Sequence, residues 1–238
     1  MMAMGRSLQR RIARVRRTGE RGITLIELLV SMIIFSILLT LVVGAFSTVS
    51  RAVTLSGQVN SNIGFSSLGM NEISKVLHFA ATNPVLNQPI DDPAFVVAKA
   101  ETLTVVSYVD ATAASPAPTE VMFSLNATRQ LVETRYSAFS VASGYWSFNT
   151  TPYRTQILTG IVLSPGTGER SLFTYQTSVN GTALTCPATG LTAAQILQVA
   201  AVQVTMKIKS ATGGTNSVTL TNTVGLPNLN IHRTGQDI

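Results

Sequence analysis

The chain has 238 residues, a formal net charge of +6 and a pI near 9.9, and a length of this order holds one or two domains. The charge invites a nucleic-acid reading, but residues 1–22 hold seven arginines (Arg6, Arg10, Arg11, Arg14, Arg16, Arg17, Arg21) against one acid, Glu20, and beyond them ten bases stand against ten acids. The rest of the chain is formally neutral, and because nonspecific affinity for nucleic acid comes mainly from neutralising phosphates, direct nucleic-acid binding is not expected. A single cysteine, Cys186 in Leu184-Thr185-Cys186-Pro187, excludes an intramolecular disulfide and reads as an unpaired thiol.

The arginine-rich start leads into Gly22 to Ser50, a long apolar run interrupted by one acid, Glu27. From Leu28 to Ser50 no charged residue occurs in 23 positions, and a helix needs about 20 apolar residues to cross a bilayer. Arginines before such a run hold the N-terminus in the cytoplasm and send the rest of the chain outward. Two arginine pairs, Arg10-Arg11 and Arg16-Arg17, are weak evidence for a twin-arginine signal. Val43-Gly44-Ala45 fits a small-x-small cleavage site, so a secretory signal peptide is an alternative, although the run exceeds the usual length and would contain Glu27 for no reason. Glu27 itself has two readings: it reaches the interface, or it waits for a positive partner in the membrane plane.

The string Arg21-Gly22-Ile23-Thr24-Leu25-Ile26-Glu27-Leu28-Leu29-Val30 resembles the class III signal of type IV pilins and type II secretion pseudopilins. The resemblance covers about the first fifth of the chain. It implies that a prepilin peptidase cuts after Gly22 and methylates the new amino group of Ile23. Glu27 then becomes the fifth residue of the mature chain, where the family uses a carboxylate to pair with a neighbouring subunit's N-terminal amine and so to fix axial register. Other pilin or pseudopilin subunits, the peptidase and an inner-membrane assembly platform are the implied partners. The implied location is a single-pass cell-membrane protein with its head outside the cytoplasm, later an extracellular or periplasmic filament. Ile23 replaces the family's commoner Phe, and Gly44 stands where many major pilins carry a kinking proline; both departures look like a minor pilin or pseudopilin.

After Ser50 polarity rises, but Val53, Leu55, Val59, Ile63, Leu68, Ile73, Val76, Leu77 and Phe79 recur mostly every three to five residues, the pattern of an amphipathic helix. Gly57, Gly64 and Gly69 leave room for a break, and Asn83-Pro84 is expected to end the helix, since the residue before proline is pushed out of the helical region. The chain thus divides into four segments: a leader (1–22), a transmembrane and assembly half (23–50), an amphipathic half (51–82) and a head (83–238).

The head opens with a proline-rich loop, Asn83 to Pro93. Period-two patterns then predict strands at 95–98 and 103–109, a hairpin of 121–125 with 130–136 across Asn126 to Arg129, and strands near 157–163 and 172–179. The clearest are 201–209, in which Val202, Val204, Met206 and Ile208 share a face, and 218–226, joined through Gly213-Gly214-Thr215-Asn216. Asp110 to Thr119 and residues 231–238 read as exposed loop and loose tail. The predicted fold is α+β and pilin-like: a long N-terminal helix carrying an antiparallel sheet.

Catalytic chemistry finds little support. The two histidines, His78 and His232, lie in the helix and the tail, and HExxH, CxxC and GxSxG are absent from the sequence. Asp91-Asp92 lack the spaced oxygen ligands of a calcium loop, so no metal or cofactor is expected. The leading reading is a structural filament subunit. A reading of a different class is a single-pass anchored binding module whose aromatic loop, with Tyr145, Trp146, Phe148 and Tyr153, recognises a ligand; the same rings can instead pack over the sheet edge.

Overall fold

The computed structural model describes residues 22–88, 90–109, 116–209 and 217–229. The leader up to Arg21, most of the expected 110–119 loop, the Gly213–Asn216 turn and the tail with His232 lie outside the described residues. Two compact units divide the chain, Met1–Thr54 and Leu55–Ile238.

Helix α1 runs from Leu25–His78 without a break. In the first unit its apolar side chains point in all directions and stay exposed, Leu28, Ile33, Phe35, Leu39 and Val43 among them. Hydroxyls in this stretch are satisfied inside the helix: Ser31 donates to the Glu27 carbonyl at 2.7 Å, Ser36 to Met32 at 2.8 Å and Thr40 to Ser36 at 2.8 Å. Such back-bonding lets polar side chains sit in hydrocarbon without orphaned donors. Gly44 causes no break; Ser47 and Thr48 both donate to its carbonyl, at 2.9 and 3.0 Å.

The second unit contains the end of α1 and the strands β1 (Phe95–Ala98), β2 (Thr102–Ser107), β3 (Thr119–Leu125), β4 (Gln130–Ala142), β5 (Tyr145–Phe148), β6 (Arg154–Ile161), β7 (Phe173–Gln176), β8 (Ala201–Lys209) and β9 (Ser217–Gly225), with a one-turn helix α2 (Ala193–Ile196) before β8. One sheet runs β1-β2-β3-β4-β5, with β6 also on β4; the other is β7-β8-β9, and every pair is antiparallel. β4 is long enough to serve two partners in succession: Gln130 to Arg135 pair with β6, and Ala138 to Ala142 pair with β5.

The helix buries one stripe from Ser66 onward. Ile73, Val76 and Leu77 are fully covered and join Leu103, Val105, Val121, Phe123, Leu131, Val202, Val204 and Met206 in one core. Earlier apolar positions of the expected stripe, such as Val53, Leu55 and Leu68, remain exposed. The helix also ends before the expected Asn83-Pro84 stop. Backbone groups just past His78 are already taken by the sheet: Ala81 donates to the Val106 carbonyl at 3.1 Å, and Tyr108 donates to Phe79 at 3.0 Å.

Gly69 is a point of close approach rather than a break. A Cβ there would lie 2.6 Å from the Leu158 carbonyl oxygen of β6, and a strand backbone cannot give way as a flexible side chain can. Gly69→Ala is therefore expected to lower head stability by about 1–3 kcal/mol through overpacking. Gly64→Ala, where a Cβ meets nothing within 4 Å, is expected to raise stability by about 0.5–1 kcal/mol. Paired thermal melts of the two variants check the opposite signs.

A buried ionic cluster ties the same helix to the sheet. Glu133 of β4 is 0% exposed; its carboxylate accepts from Arg135 Nε at 2.8 Å and from Gln156 Nε2 at 2.5 Å. Arg135 also pairs with Glu72 of α1. Burial pulls the Arg135 guanidinium down, but the hydrogen bond and charge of Glu133, the charge of Glu72 and the Tyr153 side chain outweigh it and hold the group above its ordinary pKa. The guanidinium stays charged.

Candidate functional site

Gly22, Ile23 and Thr24 lead into α1 as exposed non-helical chain. Thr24 Oγ1 accepts from the Glu27 backbone N–H at 3.3 Å, and the Thr24 carbonyl accepts from Leu28 N–H at 3.1 Å. Thr24 is thus the N-cap and Glu27 the third helical residue, which satisfies one of the otherwise unpaired donors of the first turn. Thr-x-x-Glu is the sequence pattern of a capping box, so this local role was readable in the residues that carry the family resemblance.

Capping fixes where Glu27 stands. It lies in the first turn, where the helix dipole favours a negative group, and among the described residues its carboxylate joins no ion pair. Ile23 is 72% exposed, and a Cβ at Gly22 would meet nothing within 4 Å. No steric demand among the described residues calls for glycine there, so any such demand comes from outside them.

The other sequence candidates fall elsewhere. The aromatic segment expected as a loop is instead a β-hairpin: Ser140 pairs with Trp146 and Ala138 with Phe148. Gly144, at φ 80°, supplies the left-handed residue that the tight turn needs. Tyr145, Trp146 and Phe148 are half-buried, whereas Tyr153 lies beyond the strand and is exposed. Asp91 accepts from Thr82 Oγ1 at 3.1 Å, and Cys186 is a half-buried free thiol that packs against the core and is pushed up in pKa by burial. Among the described residues no group of three or more His, Cys, Asp or Glu side chains is placed to hold a metal ion.

Residues 17–43 match the family described as the prokaryotic N-terminal methylation motif. The match spans the basic approach, Gly22, Ile23, the Thr24 cap, Glu27 and most of the exposed apolar helix. No curated protein matches the chain. The motif marks structural subunits that are processed by prepilin peptidase and assemble with other pilin subunits, and the helix behind it is long and apolar enough to cross a membrane. With its long N-terminal apolar helix and antiparallel sheet head, the chain carries the N-terminal methylation motif of type IV pilins and pseudopilins on a pilin-like α+β fold.

Proposed function

We propose that the chain is a minor-pilin-type or pseudopilin filament subunit, cut between Gly22 and Ile23, methylated on the Ile23 amine and assembled through α1, with Glu27 pairing to the N-terminal amine of a neighbouring subunit. The observation that carries this reading is the exposed apolar helix, uncharged from Leu28 to Ser50, that starts at a capped Thr24, two residues after Gly22, within the matched motif. Burying that surface requires lipid or other helices, and a subunit moving from membrane to filament exchanges the first for the second. Removal of the arginine-rich segment leaves a formally neutral chain, so electrostatics would not oppose the packing of many copies.

The deciding experiment is mass spectrometry of the N-terminal peptide from natively expressed protein. The expected mature chain starts at Ile23 and carries one added methyl group. A start after Ala45, or at the initiator methionine, would sink the reading and leave an anchored or secreted sheet domain. A deletion strain then separates the three machines that share this processing: loss of surface filaments with motility or adhesion points to a pilus, retention of exported proteins inside the envelope points to type II secretion, and loss of DNA uptake alone points to a DNA-uptake machine.

A further inference from the structure

The loop after α1 and the β4–β5 hairpin wall a cleft of about 410 Å³ over the outer face of β1–β3. Glu120 projects into it from β3, Asp92 and Asn83 line it from the loop, Val96 from β1, and Tyr145 and Trp146 from β5. Among the described residues no lysine, arginine or histidine lines it. The arrangement is held from both sides: Asn83 and Asp92 exchange backbone hydrogen bonds at 3.0 and 2.9 Å, and Asn83 Nδ2 donates to the Trp146 carbonyl at 3.3 Å.

Asn83 is only 8% exposed and holds the loop against β5: its Nδ2 donates to the Trp146 carbonyl, and its Oδ1 is closed to solvent. The group left wanting in the cleft is Glu120, which forms no ion pair among the described residues and whose carboxyl is pushed up in pKa by desolvation. A desolvated acid without a cation costs free energy. A planar or tetrahedral cation brings charge to the Glu120 and Asp92 carboxylates that line the cleft, and its face or stem packs on the indole and phenol rings, the attraction that aromatic walls offer to cations.

We infer that the cleft between the Asn83–Pro93 loop and the β4–β5 hairpin binds an organic cation, a guanidinium or alkylammonium group, either free or at the end of a peptide side chain. Anions are excluded by two acids with no base to offset them. A hydroxylated neutral ligand would leave Glu120 uncompensated. This inference does not depend on the filament reading, since it uses only the head.

Trp146 is the chain's only tryptophan, so its fluorescence reports this cleft alone. Full-length protein in detergent micelles is titrated with ethylguanidinium, with a blocked Gly-Arg-Gly peptide, with the matching Gly-Gln-Gly peptide and with a neutral hexose. The expected result is a saturable change with the two cations and none with the neutral probes; tighter binding of the arginine peptide than of the free ion assigns the source to a polypeptide. Glu120→Gln is expected to weaken cation binding about tenfold or more, the scale of losing a charge-assisted contact. Val96→Lys, at a half-exposed β1 position, places a tethered cation at the cleft and is expected to abolish the response even if the Glu120 variant fails to fold. An equal response to Gly-Gln-Gly or to the hexose, or unchanged cation binding in a folded Glu120→Gln or Val96→Lys protein, overturns the inference.

Discussion

Replacing Arg135 with Met is expected to destabilise the head by about 3–5 kcal/mol, the scale observed when one partner of a buried ion pair is removed. The reason lies in what remains. Glu133 is fully covered between α1 and the sheet and would keep only the Gln156 amide as a donor to its carboxylate, while Glu72 would lose its tie between helix and strand. The double change Glu133→Gln with Arg135→Met is expected to recover most of the loss, since a neutral amide has no charge to leave uncompensated. Urea unfolding followed through Trp146 would measure both. A loss below about 1 kcal/mol for the single variant, the range of surface ion pairs, would show that water or a moving side chain already compensates Glu133.

Much of the head was legible because alternation survives where one face is buried. The first strand and the eighth fall where Phe95 to Ala98 and Ala201 to Lys209 predict them. What escaped was set by tertiary context. β5 is four residues amid Gly, Ser and Asn, and only pairing with the far half of β4 makes it a strand. The register that places Glu133 opposite Phe123 puts an acid on the core face, and Glu133 with Arg135 at a spacing of two was the available signal, because both must then share that face. The cap at Thr24 went unread although Thr-x-x-Glu was its available signal; the cleft at Asn83 and Trp146 left no such signal, because it joins residues 63 apart in sequence.

The largest functional effect is expected at Glu27. Glu27→Leu should leave cleavage at Gly22 intact, since the leader and Ile23 are untouched, and should ease residence in the membrane, because a carboxylate costs about 2.5–3.5 kcal/mol near a bilayer centre and less toward its edge. If the acid served only to reach the interface, nothing else would change. If it pairs with a neighbour's amine in a dehydrated helix bundle, the variant loses an attraction of about 4 kcal/mol at 4 Å separation and an effective dielectric near 20. That corresponds to about a thousandfold in subunit incorporation. The same substitution is then expected to accumulate processed, methylated protein in the membrane with little or none in filaments. Glu27→Asp, which keeps the charge on a shorter stem, should restore part of the assembly, whereas Glu27→Gln should not. Fractionation of membrane and sheared filaments, combined with mass spectrometry at Ile23, separates these outcomes. Normal incorporation of the Leu variant would remove Glu27 from assembly and return it to the role the structure already gives it, a favourable charge in the first turn of a helix that Thr24 caps.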